Sequence, residues 1–397
     1  MRITDPSAHT ATGTVARRIR PLVKRLLRWY DPRRLPGQLR PWWRRLTERR
    51  DRQRFPTAPT WVLSDPHHDH VAAAATGRAG LYIGATPRYA TASGLVWTRP
   101  DIVSVAYLLT SSMVTYRIHR GAVGLAAEPI STIAGLDVLG DYSGIAASAS
   151  GALMAVTSSV DGRLAVMRTD ADGVPVPDSI VTVKVPTDRV VHGVAFSPDE
   201  RYVVYTSILR GGGLRTVRVS NSPDGRLALE LVAVIDTPEA RLPPKGLRFS
   251  ADGRHLLVSH GGSATSSPGR SSRGFVAVHE WDAETGRVGQ CLDRSEARQG
   301  IKCAEDVTLL ADDSMALVTD QFDDSAHLIR IDRATGRLSE GRKVVSWAAG
   351  GLTMPHGCAT SPDGTTVAIT NYGDGSVRFF DVASLVTDAT PRAGGRS

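Results

Sequence analysis

Residues 192–207 read HGVAFSPDERYVVYTS, and residues 356–372 read HGCATSPDGTTVAITNY. Both stretches follow one plan: a short run with β-branched residues, a four-residue turn built on Ser-Pro-Asp, and a second such run. Proline presets φ for the first turn position, and Asp and Gly tolerate the rest of the geometry, so each stretch predicts a tight β-hairpin.

Four other segments align on the same frame. They begin at Gly94 (GLVWTRPDIVSVAYLL), Gly144 (GIAASASGALMAVTSS), Gly246 (GLRFSADGRHLLVSH) and Asp306 (DVTLLADDSMALVTD). With Gly193 and Gly357 included, the starting points lie 50, 49, 53, 60 and 51 residues apart. A third strand candidate follows most hairpins (LAVMRTD, LRTVRVS, FVAVHEW, AHLIRID, SVRFFDV), and then a less regular stretch suited to an outer strand. Four strands in a unit of this period predict a β-propeller. A β-solenoid has shorter repeats, and a helical array needs a 3.6-residue pattern that these segments lack.

The expected fold is therefore all-β: a β-propeller of six to seven four-stranded blades. Residues 57–90 add the strand candidates TWVLS, HVAAAA and GLYIGAT, and the span 57–385 divided by the period comes to nearly seven. Length thus favours seven blades, with six and an elaborated closure as the alternative. The last repeat stops after SVRFFDV, so an amino-terminal strand is expected to complete that blade and remove the exposed edge. The implied division is a leader at 1–56, a propeller at 57–385 and a flexible tail at 386–397.

Charge separates the leader from the body. The chain holds 48 Lys+Arg and 40 Asp+Glu; 16 and 4 of these fall in residues 1–56, which leaves 32 and 36 for the remainder. The body is mildly acidic, which argues against nucleic acid as its partner. In TVARRIRPLVKRLLRWY (14–30), Val15, Ile19, Leu22, Val23, Leu26, Leu27 and Tyr30 share one face at helical spacing and the basic residues take the other. Pro21 places the start of this amphipathic helix, or a kink, at its own position. PWWRRLTERR (41–50) adds Trp42 and Trp43 among arginines. Three readings stand open for residues 14–50: packing on the propeller, contact with an anionic membrane surface, or capture of an acidic protein or nucleic acid.

Along the chain, no apolar run reaches the length of a membrane-spanning helix, and no secretory pattern opens the sequence. The expected location is cytoplasmic, with peripheral membrane contact through the leader, and the expected state is a monomer. Cys291, Cys303 and Cys358 are too few for a disulfide framework and are read as reduced thiols.

The hairpins point to one face. The start of each first strand lies beside the end of its second strand, and these ends converge around the central channel. The residues just before the six anchors form a ring: Ser93, Ser143, His192, Lys245, Glu305 and His356. The second strands end at Ser207, His260, Asp320 and Asn371. The expected neighbours are His192 with Ser207, Lys245 with His260, Glu305 with Asp320, and His356 with Asn371. We take His192, Lys245, Glu305 and His356 as the candidate catalytic set, because bases, an acid and a cation on a rigid scaffold are what a site requires. Ser207, His260, Asp320 and Asn371 are the candidate substrate-binding set. Glu305 close to Asp320 would raise one carboxyl pKa.

The repeats at His356–Asp381 and His192–Val219 resemble those of the YVTN or lactonase-type propellers, the group that contains 6-phosphogluconolactonase and fungal muconate-cyclising enzymes. The resemblance covers about residues 90–385. It implies a lactonase-like propeller in which a histidine, a carboxylate and basic residues around the channel handle a lactone; His192, Glu305 and Lys245 are the matching residue types. The match departs from the family where its arginine usually stands: Lys245 follows two prolines, and Pro355 alone precedes His356.

Asp65-Pro66-His67-His68-Asp69-His70 is a second candidate, with His67, His68 and His70 able to ligate a divalent metal, or simply to form a surface loop. No other cofactor is expected. Gly211-Gly212-Gly213 and the stretch 263–274 read as loops over the same face. The chain shows no phosphate-binding GxxxxGK, no dinucleotide fingerprint and no GxSxG elbow. Two functions remain in play: acid/base hydrolysis or isomerisation of a small cyclic or carboxylated metabolite, and a non-catalytic scaffold that binds a ligand or protein and is recruited by its basic leader.

Overall fold

The computed structural model describes Trp61–Leu63 and residues 92–387, apart from short stretches at 109–111, 122–123, 135–141, 159–161, 187, 189, 209–211, 237–241, 262–273, 296–299, 311, 347–350 and 374. The leader (1–56), His67, His68 and His70 lie outside the described residues.

The repeat folds as six four-stranded antiparallel sheets. Blade 1 comprises β2 (Ala92–Arg99), β3 (Ile102–Tyr107), β4 (Ser112–Gly121) and β5 (Gly124–Ala134); blade 2 comprises β6 (Tyr142–Ala147), β7 (Leu153–Ser158), β8 (Arg163–Arg168) and β9 (Val181–Lys184). Blade 3 holds β10 (Val191–Phe196), β11 (Tyr202–Ser207), β12 (Gly213–Asn221) and β13 (Leu227–Asp236). Blade 4 holds β14 (Pro244–Phe249), β15 (His255–His260), β16 (Phe275–Asp282) and β17 (Arg287–Arg294). Blade 5 holds β18 (Ala304–Leu309), β19 (Met315–Asp320), β20 (Ser325–Ile331) and β21 (Leu338–Ser346). Blade 6 is built from β22 (Pro355–Thr360), β23 (Thr366–Asn371), β24 (Val377–Asp381) and, from the other end of the chain, β1 (Trp61–Leu63).

β1 lies antiparallel to β24, with Trp61 opposite Phe379 and Leu63 opposite Val377. The amino-terminal strand therefore completes the last blade, as the truncated final repeat requires.

The count of seven favoured by length is corrected to six. The ring closes because blade 1 packs directly on blade 6: Val103, Val105 and Tyr116 share one apolar cluster with Ala368, Val377 and Phe379, and the Trp97 and Phe379 rings meet edge to face at 6.1 Å. The other five junctions between neighbouring blades each hold a cluster of their own. The length estimate failed because TWVLS supplies only an outer strand of blade 6, and because blade 1 extends its outer strands to 10 and 11 residues.

The turns behave as their chemistry predicts. In blade 4 the Ser250 hydroxyl donates to Asp252 Oδ1 (2.7 Å) and Asp252 Oδ1 accepts the Arg254 amide (3.1 Å). Gly253 takes a φ of 68° there, the left-handed region that glycine enters without strain. Glu200 occupies the same place in blade 3 at φ 60°, and its carboxylate reaches back to bond the Ser150 amide and hydroxyl of blade 2. After β24 a short helix, α1 (Val382–Thr387), buries Leu385 against the junction of blades 5 and 6. It ends two residues beyond the boundary drawn at 385. Cys291, Cys303 and Cys358 form no disulfide with one another. Among the described residues no helix is long and apolar enough to cross a membrane.

Candidate functional site

The six ring residues all sit in β-bulges of the innermost strands. In blade 3, Val191 pairs with Ser207 and Val194 with Tyr205, so His192 and Gly193 together oppose Thr206. The same shift recurs at Tyr142/Ile145, Pro244/Leu247, Ala304/Val307 and Pro355/Cys358, and at Ala92/Gly94 in blade 1. The expected register was thus one residue out: Ser207, His260, Asp320 and Asn371 lie opposite Val191, Pro244, Ala304 and Pro355. A bulge leaves its extra residue unpaired and re-aims the side chain. Here it turns Ser93, Ser143, His192 and His356 onto the channel, where a cavity of about 20 Å³ has room for about one water.

A hydroxyl holds each bulge in blades 2 to 6. The Gly193 amide donates to Thr206 Oγ1 (2.8 Å), which donates in turn to the Lys245 carbonyl of the next blade (2.7 Å). Ser259 bridges the Gly246 amide and the Glu305 carbonyl at 2.9 and 3.1 Å, and Thr319 bridges the Asp306 amide and the His356 carbonyl at 3.0 and 2.8 Å. Thr157 and Thr370 do the same toward His192 and Ser93. The signal for these residues was present as a Thr or Ser one place before the end of each second strand. Blade 1 carries Ala106 there and uses the Ser93 hydroxyl, bonded to the Tyr142 carbonyl (2.9 Å).

Four of the candidates converge on one atom. Glu305 Oε1 lies 3.0 Å from His192 Nε2, 3.1 Å from Lys245 Nζ and 3.2 Å from His356 Nε2. The Glu305 side chain is 1% exposed, against 10% for His192 and 12% for Lys245, so the carboxylate stands behind the groups that face the channel. Burial alone would raise the Glu305 carboxyl, but Lys245, His356 and His192 outweigh it and hold the group well below the usual carboxylate range. The two imidazoles stack with centroids 4.9 Å apart, and His356 stacks in turn on Tyr372 at 5.5 Å. His356 Nδ1 is 2.8 Å from the Ser93 carbonyl, which can only accept, so Nδ1 carries the hydrogen. Cys303 Sγ is 3.5 Å from Glu305 Oε2, and burial with that carboxylate pushes its thiol well up.

The second set is buried and bonds the connections that lead into the first strands. His260 Nδ1 lies 3.1 Å from the Leu242 carbonyl, and its ring stacks on Phe275 at 4.5 Å. Asp320 accepts the Lys302 and Cys303 amides at 2.8 and 2.9 Å. Asn371 accepts the Thr353 amide at 3.0 Å and donates to the Gly351 carbonyl at 3.1 Å. Ser207 is buried opposite Val191. Burial pushes Asp320 up to about 6. Proximity to Glu305 was the expected cause of a raised carboxyl in this pair; burial is the cause instead, and Glu305 itself moves the other way.

Two features of the channel were not legible in the repeat. Arg248 Nη2 reaches across from blade 4 to within 3.4 Å of the Cys358 carbonyl in blade 6. Asp306 takes the place of the bulge glycine in blade 5 and accepts the Val307 and Cys358 amides, both at 2.9 Å; burial pushes it up to about 6.

Two groups among the described residues have the composition to hold a metal: His192, Glu305 and His356, and Asp320, Asp323 and His327. In the second, Asp323 already pairs with both Lys302 and Lys343, which supply the positive charge.

No family model matches the chain, and no curated protein matches it. Solved structures similar to it include a protein from Lactobacillus plantarum (17% identity, 73% of this chain and 74% of that one, TM-score 0.49). A provisionally assigned 6-phosphogluconolactonase from Bacteroides uniformis is 16% identical over 60% of this chain and 66% of its own, with a TM-score of 0.43. The hydrazine synthase of Kuenenia stuttgartiensis is 12% identical over 74% and 96%, with a TM-score of 0.47.

Proposed function

We propose that the channel mouth is the active site of a lactonase-like enzyme, one that hydrolyses or isomerises a small cyclic or carboxylated metabolite by acid/base chemistry. The observation that carries this reading is the meeting of His192, Lys245 and His356 on a single oxygen of Glu305.

Roles follow from exposure and from what each group already holds. Glu305 is buried, ionised and committed to three partners, so it is a poor base and a good positioning residue. A carboxylate on one imidazole nitrogen fixes the ring and stabilises the imidazolium formed when the ring takes a proton. His192, the more exposed imidazole, is the group that moves the proton. Lys245 brings positive charge to the rim and holds the substrate carboxylate or the oxyanion of an opening lactone. His356, anchored on the Ser93 carbonyl and stacked on Tyr372, keeps Glu305 in place.

The test is turnover of a panel of small lactones and carboxylated lactones by the full chain. His192→Asn and Lys245→Met are expected to lower kcat/KM at least about 100-fold while the circular dichroism spectrum is kept, and Glu305→Gln to abolish turnover. A wild-type chain that binds these compounds in the channel without converting them defeats the catalytic reading and favours the binding scaffold.

A further inference from the structure

We propose that His192, Glu305 and His356 also form a site for one divalent transition-metal ion, which replaces the Lys245 ammonium on Glu305. This concerns the same residues as the acid/base reading and rests on their convergence; it adds a second state of the site, in which the metal takes the imidazole that otherwise moves the proton.

The first argument is donor chemistry. Two imidazoles and one carboxylate are a recurring three-ligand set for divalent first-row metals, leaving further positions open. All three residues are buried, at 8%, 0% and 4% exposure, and their donor atoms lie within 4.8 Å of one another. Ligands about 2.1 Å from a common ion stand about 3.0 Å apart at right angles and about 3.4 Å apart in a tetrahedron. Nε2 of His192 and of His356 stand 3.0 and 3.2 Å from Glu305 Oε1.

The second argument is the tautomer of His356. Its Nδ1–H is committed to the Ser93 carbonyl at 2.8 Å, the outer hydrogen bond that typically orients a metal-ligating histidine. In the neutral ring Nε2 is then a lone pair, aimed at an ionised carboxylate oxygen 3.2 Å away. Two lone pairs repel at that distance unless an electrophile sits between them. A proton is one solution. Yet an imidazolium at His356 with the Lys245 ammonium beside it would put two positive charges on one carboxylate oxygen in a buried site, which is costly. A metal ion satisfies both imidazoles and the carboxylate with both rings neutral.

Lys245 is the competing cation. Its Nζ sits 3.1 Å from the same oxygen, on a long side chain with four rotatable bonds that is 12% exposed at the rim. Asp320, Asp323 and His327 show the contrast, since two lysines hold Asp323 and leave the cluster no charge deficit for an ion.

The test uses the full chain, stripped with a chelator and titrated with Co²⁺ by visible absorption and with Zn²⁺ by calorimetry. One equivalent is expected to bind. His192→Ala and Glu305→Gln are each expected to weaken binding at least about tenfold, and a variant with His67, His68 and His70 all changed to Ala is expected to keep it. Lys245→Met is expected to tighten binding about tenfold or more by removing the competing ammonium, a gain that misfolding cannot produce. The proposal is overturned if neither wild type nor Lys245→Met takes up metal. It is equally overturned if uptake survives His192→Ala and disappears only in the triple histidine variant. Because uptake is read without substrate, its failure and a failure of lactone turnover are told apart.

Discussion

Thr206 Oγ1 donates to the Lys245 carbonyl at 2.7 Å while accepting the Gly193 amide at 2.8 Å. One hydroxyl thus closes the bulge that presents His192 and fixes the backbone of the lysine beside it. It links the fold of blade 3 to the position of the site in blade 4. Thr206→Val keeps the shape and removes both bonds, leaving a buried amide unpaired. The expected cost is about 1–3 kcal/mol, read as a lower urea midpoint at an unchanged slope. Thr206→Ser is expected to restore most of it. A midpoint in the valine variant equal to wild type would show that the clasp contributes nothing.

Gly193 is required for a different reason. A Cβ there would lie 2.2 Å from the Lys245 carbonyl oxygen and 2.8 Å from Gly246 Cα, both backbone atoms that no rotamer change can move. Gly193→Ala is therefore expected to push blade 4 away from blade 3. The loss should be about 1–3 kcal/mol, the range for over-packing a filled interior. The displacement falls on Lys245, so weakened binding of a carboxylate ligand should accompany it; unaltered stability and binding together would count against the close approach.

These relationships explain how far the sequence could be read. The ring of His192, Lys245, Glu305 and His356 was visible because a repeat puts equivalent residues at equivalent places, so one hairpin register located all the others. The register itself slipped by one, because a bulge leaves no trace in an alternation pattern: Gly193 and its counterparts read as ordinary anchors until their paired amides are seen. That an amino-terminal strand completes the last blade was legible from the truncated final repeat, but the blade count was not: TWVLS, some 300 residues from the strand it joins, looks the same whether it opens a seventh blade or completes the sixth. The reach of Arg248 to Cys358 was illegible for a similar reason, since a repeat specifies the contents of a blade and says little about what crosses the channel.

Asp320 and His327 give the fold two opposed pH dependences. Burial pushes Asp320 up to about 6 from an ordinary 3.8, so the folded chain holds that proton longer and stability falls as pH rises from about 4 to 6. Burial, with Lys343 and Lys302 nearby, pushes His327 down to about 3 from 6.5. Its contribution is complete above about 6.5 and is lost as pH falls toward 3. Each slope is at most about 1.4 kcal/mol per pH unit, and between about 4 and 6 they largely cancel. Urea unfolding at several pH values separates them. The advantage of wild type over Asp320→Asn should grow as pH falls through this window, and its advantage over His327→Gln should shrink. Two flat differences would mean that neither group titrates away from its ordinary range.

The connection that leads into the His192 bulge is held by a buried ion pair. Arg215 on β12 donates through Nη2 to Asp188 Oδ1 at 2.8 Å and through Nε to Oδ2 at 3.1 Å, with side chains 2% and 1% exposed. Tyr205 adds its hydroxyl to the same carboxylate at 3.3 Å, and burial with that negative charge pushes the phenol well up. The attraction of such a pair is largely offset by the desolvation of its members, whereas removing one member leaves the other charge buried without compensation. Asp188→Asn is therefore expected to cost about 3–5 kcal/mol, while Asp188→Leu combined with Arg215→Met should be less destabilised than Asp188→Asn alone. Denaturation midpoints of the variants decide this. If Asp188→Asn stays within about 1 kcal/mol of wild type, the pair is not what holds the approach to His192. If the double variant recovers stability but loses ligand binding at the channel, the pair's contribution is to the placement of Val191 and His192 rather than to the fold.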